Sequence, residues 1–183
     1  MTVRATGTFT RPSKPAGLSE WCFGREAAVC IGMQYSAERY CRAMSEENVE
    51  IVRQLTEAVQ RGVEHDDPGG DLFDTGLLAD DAEWVMQSPF EGKSVWRGRQ
   101  EWVEFFRAWT GEFEEYSIQF EPVIDAGDDR VVAIYRQRAT GKGSGVPVEW
   151  HGGMVIELRD GRAIRTTNYP EPAEALEAAG LSE

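Results

Sequence analysis

Residues 146–170 read VPVEWHGGMVIELRDGRAIRTTNYP, a pattern typical of two β-strands joined by a tight turn. Apolar and polar side chains alternate in both halves, which is the period of a strand with one buried face. The dipeptide Asp160-Gly161 separates the halves, and Asp-Gly is a strong signal for a two-residue hairpin turn. This stretch therefore predicts an antiparallel hairpin.

Two more strands are predicted before this hairpin. The runs YSIQFEPVID (116–125) and RVVAIYRQRATG (130–141) alternate in the same way, with Gly127-Asp128-Asp129 between them. The glycine-rich run GKGSG (141–145) then reads as a turn, because no strand and helix flank it as a nucleotide loop requires. Four successive strands with short connections predict an antiparallel meander.

Helical patterns lie mainly on the N-terminal side of these strands. Ser45 suits a helix N-cap, and apolar residues then recur near helical spacing over 46–61. A short second helix is predicted over 71–80 and a last one over 171–180. A third helix begins at Gly98. Its aromatic residues stand at the spacing i, i+3, i+4 and i+7, which places them on one helix face: Trp102, Phe105, Phe106 and Trp109. We expect this face to pack in the core rather than to bind a cofactor.

The order of elements predicts the fold class. Helices come first and strands follow, so the class is α+β, with the helices packed on one face of a curved antiparallel sheet. A chain of 183 residues is long enough for one domain with a full core.

The charge composition changes at Met44. Residues 1–43 carry six Lys or Arg and three Glu, whereas the rest carries 13 basic and 29 acidic residues. The early part is also rich in Gly, Pro, Ser and Thr, a composition typical of disorder. We therefore predict a disordered extension over 1–43, with Met44 as a possible natural start, and an ordered domain over 44–183.

Several function classes are disfavoured by composition. The formal net charge of −13 opposes binding to nucleic acid or an anionic membrane, which requires clustered Lys and Arg. No apolar run approaches the ~20 residues that span a bilayer, and the N-terminal stretch lacks the apolar core of a secretory signal. A cytoplasmic location is expected by default.

Neither a metal site nor a cofactor is expected. The spacing of Cys22, Cys30 and Cys41 matches no zinc or redox motif. His65 lies beside acidic residues, but no second histidine stands at ligand spacing.

Four motifs stand in the order found in a known family: ADDAEW (79–84), the aromatic helix from Gly98, ELRDGRAIR (157–165) and YPEPAEALEAAGL (169–181). On these motifs the chain from Met44 to Leu181 resembles the SnoaL-like branch of the ketosteroid isomerase and nuclear transport factor 2-like superfamily. The resemblance implies a conical α+β fold whose curved sheet wraps around N-terminal helices and encloses a hydrophobic cavity. It also implies a homodimer formed through the outer sheet face.

The resemblance bears directly on catalysis. Ketosteroid isomerases use an Asp base after the ADDA-like turn, and a Tyr on helix one and an Asp on the penultimate strand as an oxyanion hole. Counting from the shared motifs, those positions fall on Met86, Leu55 and Met154. None of these side chains takes up a proton or donates a hydrogen bond. The sequence therefore argues against this mechanism, and Met154 argues equally against a polyketide cyclase that uses an acid there.

Strand parity indicates which other side chains share such a cavity, since residues two apart point to the same face. If Met86 and Met154 point inward, residues at the same parity on the neighbouring strands join them. The predicted pocket comprises Leu55, Trp84, Met86, Trp102, Tyr135, Gln137, Trp150, Met154, Thr166 and Asn168. The alternative is that these side chains simply fill a solid core, which would leave a dimerising structural module.

Two functions remain open at this point. The first is binding of a small hydrophobic or aromatic metabolite without chemistry. The second is an isomerase, hydratase or cyclase that uses Tyr135, Asn168 or His151 on such a ligand. The parity of His151 is opposite to that of Met154, so we expect this imidazole on the outer face of the sheet.

Overall fold

The computed structural model of the chain describes residues 31–65, 67, 69–90 and 92–181. Within these residues four helices and seven strands follow one another. Their order is α1 (Ile31–Glu64), α2 (Gly70–Asp74), β1 (Leu78–Phe90), β2 (Lys93–Arg97), α3 (Gly98–Gly111), β3 (Phe113–Phe120), β4 (Ile124–Gly127), β5 (Arg130–Gly141), β6 (Pro147–Arg159), β7 (Arg162–Tyr169) and α4 (Pro172–Ala178).

All the described strands belong to one curved sheet, with the order β2-β1-β7-β6-β5-β3 and β4 paired to β5. The predicted meander is confirmed, because β3, β5, β6 and β7 are neighbours and pair antiparallel. The first strand adds to the far side of the meander and pairs with β7 in parallel. The α+β class predicted from the sequence is therefore confirmed.

The hairpin turn between β6 and β7 has the expected geometry. Asp160 has φ 53° and Gly161 has φ 74°, the two positive values that a type I′ turn requires. Asp128 and Asp129 have φ 50° and 58° at the turn between β4 and β5. Aspartate adopts this conformation more readily than most residues, so both Asp-containing signals mark real turns.

The inner face of the sheet packs against α1 and α3. Trp102 of α3 is 1% exposed, and its indole N–H donates to the Ala82 carbonyl at 3.0 Å. The ring also meets Trp84 of β1 edge to face, with centroids 5.1 Å apart. This hydrogen bond and ring contact fix α3 against β1 and position the aromatic stripe toward the interior.

The last helix packs on the opposite face of the sheet. Ala175 of α4 and Ala179 directly after it are buried against Val132, Ile134 and Val155, which point outward. The expectation that all helices share one face is therefore wrong for α4. The reason lies at Gly153, where a Cβ atom would stand 2.6 Å from the Cβ of Ala175, so glycine permits the close approach of this helix.

Several boundaries differ from the predictions. Helix α1 already includes Ile31, the first described residue, and is not confined to residues from 46 onward, because most residues between these positions are good helix formers. The start of the predicted extension, 1–30, lies outside the described residues, and the division at Met44 stays a prediction. None of the helices in the described part of the chain is long and apolar enough to cross a membrane.

One predicted helix and one predicted strand also need correction, and a further strand was missed. The predicted helix over 71–80 ends at Asp74, because Leu78 already pairs with Ala163 of β7. The run YSIQFEPVID is two strands, since residues 121–123 leave the ladder between β3 and β4. Strand β2 was not predicted, because its five residues are too few to show a period.

Candidate functional site

The inner face of the sheet and helices α1 and α3 surround a cavity of about 250 Å³. Wall residues at one end, such as Leu78 and Ile156, are buried. At the other end Ser88 is exposed and Trp150 is half-buried. The cavity therefore has a closed floor and a mouth beside Ser88 and Trp150.

Every residue of the predicted pocket lies in the wall of this cavity. The set is Leu55, Trp84, Met86, Trp102, Tyr135, Gln137, Trp150, Met154, Thr166 and Asn168. Their role in holding a ligand stays a prediction. Parity placed the strand residues together because the ladders between β5, β6 and β7 keep opposite residues on one face.

Asn168 lies between two methionines across adjacent strands. The register pairs it with Met86 on β1 and with Met154 on β6. These are two of the positions at which the isomerases carry functional groups, and Leu55, the third, lines the cavity from α1. Thioether and isobutyl groups neither accept a proton near neutral pH nor donate a hydrogen bond, so the three positions supply no general base.

Tyr135 provides a hydroxyl group in the wall. It stands opposite Gly152 on β6, where a Cβ atom would lie 2.6 Å from the Tyr135 hydroxyl oxygen and 3.0 Å from the Tyr169 carbonyl oxygen. Only glycine leaves room for the phenol at this point. Burial raises the pKa of Tyr135 to about 12, so at neutral pH the group is a hydrogen-bond donor and not a base.

A second tyrosine was missed by the sequence argument. Burial raises the pKa of Tyr116, a hydrogen bond from Trp109 acts in the opposite direction, and the nearby Tyr135 adds to the increase. Tyr116 and Trp109 both line the cavity, and the Trp109 ring lies 5.6 Å from that of Trp150 at the mouth. Applying the same parity to β3 would have identified Tyr116.

Two buried donors in the wall have no hydrogen-bond partner among the described residues. They are Nδ2 of Asn168 and Nε1 of Trp84. Asn168 is 4% exposed and Trp84 is 8% exposed. The protein therefore leaves two polar groups of this wall without a hydrogen bond. Each unpaired buried donor lowers the free energy of unfolding by about 1–3 kcal/mol.

The structure does not bring His151 together with Tyr135 and Asn168. The imidazole lies on the outer face opposite Arg136, as its parity predicts, and its Nε2 is 3.3 Å from a carboxylate oxygen of Glu121. The alternative set of Tyr135, Asn168 and His151 therefore has two members in the cavity and one outside it.

The cavity wall carries no charged side chain among the described residues that line it. Its ionisable groups on the inner face are the phenols of Tyr116 and Tyr135, whereas Tyr169 packs against the outer cluster beside α4. No group of three or more potential metal ligands occurs within the described ranges. Chemically, the wall can surround an apolar molecule and donate a few hydrogen bonds, and it offers no carboxylate or imidazole for proton transfer.

Sequence comparison gives the family. A model of the SnoaL-like domain matches residues 37–166, which is more than two thirds of the chain. This chain belongs to the SnoaL-like family. A comparison of the SnoaL-like chain with curated proteins gives no match.

Solved structures share the fold of this SnoaL-like domain. A nuclear transport factor 2-like protein from Burkholderia thailandensis E264 has a TM-score of 0.58 and 20% identity, covering 73% of this chain and 96% of that one. TerC, co-crystallised with polyporic acid, has a TM-score of 0.56 and 18% identity, covering 73% and 98%. A hypothetical protein with a ketosteroid isomerase-like fold from Catenulispora acidiphila DSM 44928, in complex with trimethylamine, has a TM-score of 0.53 and 16% identity, covering 70% and 93%.

Proposed function

We propose that the protein binds a small, uncharged hydrophobic or aromatic metabolite in the cavity between the sheet and helices α1 and α3. The observation that carries the proposal is the composition of the wall, which is mainly aromatic, aliphatic and thioether with a few uncharged polar groups, and has no charged side chain among its described residues. An ionised ligand would lose its hydration there without gaining a counter-charge.

The size of the cavity limits the ligand. An engineered cavity of ~150 Å³ holds benzene, and pockets for drug-sized molecules begin near ~300 Å³. A cavity of about 250 Å³ therefore suits a molecule of roughly two fused rings or a short branched chain. Proteins of the same fold have been crystallised with small organic molecules, polyporic acid for TerC and trimethylamine for the protein from Catenulispora acidiphila.

A second candidate function is an isomerase, hydratase or cyclase acting on such a ligand. The observation in its favour is that Tyr135 and Asn168 both line the cavity, where they would hold and polarise a carbonyl group. The raised pKa of Tyr135 makes its phenol a poor base at neutral pH, and His151 lies on the other face of the sheet. Binding without chemistry is therefore the better-supported function.

The same proposal includes a homodimer in the cytoplasm. The outer face of β5 and β6 presents Arg136, Arg138, Glu149 and His151, and Arg138 pairs with Glu149 at 3.1 Å. Alternating charges of this kind complement those of a second copy related by a twofold axis. The dimer follows from the resemblance to the family and is measured by the mass of the protein in solution.

Ligand retention tests the proposed function. Native mass spectrometry of the purified protein should show a small molecule that is lost on denaturation, and bicyclic lipophilic compounds should raise the melting temperature. Met154→Trp fills the cavity and should abolish this increase, whereas Glu149→Trp on the outer face should preserve it. No retained mass and no melting shift across the panel would reject the proposal.

A further inference from the structure

The amide of Asn168 is a donor without an acceptor. Its Nδ2 atom has no hydrogen-bond partner among the described residues, and its cross-strand neighbours are the thioethers of Met86 and Met154. The residue is 4% exposed, so bulk water does not replace the missing acceptor. The unpaired amide therefore lowers the stability of the ligand-free protein.

A second buried asparagine shows that the chain pairs such groups elsewhere. Asn48 on α1 is 5% exposed, almost the same as Asn168, and its Nδ2 donates to Oδ1 of Asp129 at 3.2 Å. The two residues have the same side chain and the same degree of burial. They differ because the protein supplies a hydrogen-bond acceptor to Asn48 and none to Asn168. The lack of an acceptor is therefore a local property of the cavity wall around Asn168.

Tyr135 brings another donor to the same part of the wall. Its hydroxyl oxygen and the Tyr169 carbonyl oxygen both lie within 3.0 Å of the point where a Cβ on residue 152 would stand. Tyr169 follows Asn168 directly in the chain, so the phenol reaches across β6 toward the strand that carries the amide. No described residue accepts a hydrogen bond from this hydroxyl.

We propose that Asn168 and Tyr135 select ligands with an uncharged acceptor oxygen, such as a ketone, a quinone or an amide carbonyl. This inference deepens the proposed function and rests on it. A carbonyl oxygen has two lone pairs and satisfies both donors at once. A hydrocarbon of the same shape leaves both unpaired, and a carboxylate meets no cation in the described wall, so both are bound more weakly.

A matched pair of bicyclic probes tests the selection. Tetralin and 1-tetralone share one carbon skeleton and differ in a single carbonyl group. Titration followed by tryptophan fluorescence or calorimetry should give 1-tetralone at least about tenfold higher affinity, or about 1.4 kcal/mol, because its carbonyl oxygen recovers hydrogen bonds from both donors. Tetralin-1-carboxylate should bind more weakly than tetralin.

The variants Asn168→Leu and Tyr135→Phe remove the donors and keep the approximate shapes. Each should reduce the preference for 1-tetralone over tetralin to about threefold or less, while Asn48→Leu should leave the preference intact. Equal affinities of the wild-type protein for the two probes would overturn this inference and leave the proposed function standing. If neither probe bound to the wild-type protein, both this inference and the proposed function would be rejected.

Thermal unfolding of the ligand-free variants gives an independent readout. Asn168→Leu should keep or raise the melting temperature, because it removes an unpaired donor, whereas Asn48→Leu should lower it, because it leaves Asp129 without its partner. Equal losses in the two variants would show that the Asn168 amide is satisfied without ligand, which contradicts the inference.

Discussion

The two faces of the same strands carry opposite chemistry. On β6 the inward residues Trp150, Met154 and Ile156 line the cavity, whereas Glu149 and Glu157, at the opposite parity near the two ends of the strand, make ion pairs on the outside. A strand places successive side chains on opposite faces. A single stretch of sequence therefore supplies both an apolar wall and a charged surface.

The outer charges form a ladder across the sheet. Arg97, Glu83, Arg165, Glu157 and Arg130 stand opposite one another on the adjacent strands β2, β1, β7, β6 and β5. Glu83 is 2.8 Å from Arg97 and 3.2 Å from Arg165. Charges of alternating sign thus cross five neighbouring strands on one face, while no charged residue of these strands lines the cavity.

This contrast explains why the cavity lacks a base. With 28% charged residues, the chain has ample ionisable groups, and strand parity places those of the sheet on the outer face. A shift of the pairing by one residue would reverse the two faces. The lack of charged side chains among the described residues that line the cavity is therefore a property of register as much as of composition.

The strongest test of the contrast places a charge on the inner face. Met154→Asp should lower the free energy of unfolding by about 3–5 kcal/mol at pH 7, because a buried carboxylate there has no partner. Burial raises the pKa of the new carboxyl group above its unfolded value of ~3.9, so stability is lost as pH rises from that value through the raised pKa, and the charge-dependent part of the deficit is absent below about pH 4. Urea denaturation at pH 7 and pH 4 measures both effects.

Two companion variants separate charge from packing. Met154→Leu conserves volume and should cost less than about 1.5 kcal/mol. Gln87→Asp adds the same charge at an exposed, outward position of β1 and should change stability by less than about 0.5 kcal/mol. Equal stability of Met154→Asp and Gln87→Asp would mean that water fills the cavity and that the two faces are not distinct.

Substitutions at the adjacent glycines Gly152 and Gly153 test the difference between the two faces, with an effect on stability of intermediate size. In Gly152→Ala the new Cβ would meet the Tyr135 hydroxyl at 2.6 Å and the Tyr169 carbonyl oxygen at 3.0 Å, so we expect a loss of about 1–3 kcal/mol from overpacking together with weaker ligand binding. Gly153→Ala should cost a similar amount by displacing α4 from the outer face, and it should leave binding intact. Urea denaturation measures the loss of stability in both variants, and ligand titration measures their affinities.

Gly111→Ala is the control for the substitution itself, because no atom lies within 4 Å of its new Cβ. It should be neutral or slightly stabilising. If Gly152→Ala and Gly153→Ala weakened ligand binding equally, the separation of the faces at this point would be disproved.

The smallest effect is expected from the charge ladder. Glu83→Gln removes the carboxylate shared by Arg97 and Arg165 and should cost no more than about 1 kcal/mol, as is usual for partly exposed ion pairs. The loss should fade in 1 M salt, where the screening length is ~3 Å, whereas that of Met154→Asp should persist. Stability measured at low and high salt checks this, and a salt-independent loss would mean that Glu83 acts through packing.

The sequence predicted the structure best where apolar and polar side chains alternate regularly, as they do in the strands of the meander. The turn at Asp160-Gly161 starts the pairing of β6 with β7, and a one-residue register shift between Glu157 and Leu158 then brings Asn168 opposite Met154. Side-chain alternation is a local property, so one sequence suffices to read it.

Other features depend on contacts between distant segments. The side on which α4 packs follows from the approach that Gly153 permits, and β2 exists because it pairs with β1. The start of α1 was missed because the change in composition at Met44 is a boundary of charge and not of helix propensity. The unpaired amide of Asn168 follows from the identity of its cross-strand neighbours, which only the register reveals.

The parallel pairing of β1 with β7 has a consequence for biosynthesis. Trp84 and Met86 leave the ribosome long before Thr166 and Asn168, the residues that they face across the ladder. Until the last strand arrives, β1 has an open edge beside aromatic surface, and such intermediates are prone to aggregate. A nascent chain interrupted ahead of Asn168 would have an unfinished cavity wall, so the proposed ligand would stabilise only chains whose synthesis has passed that residue.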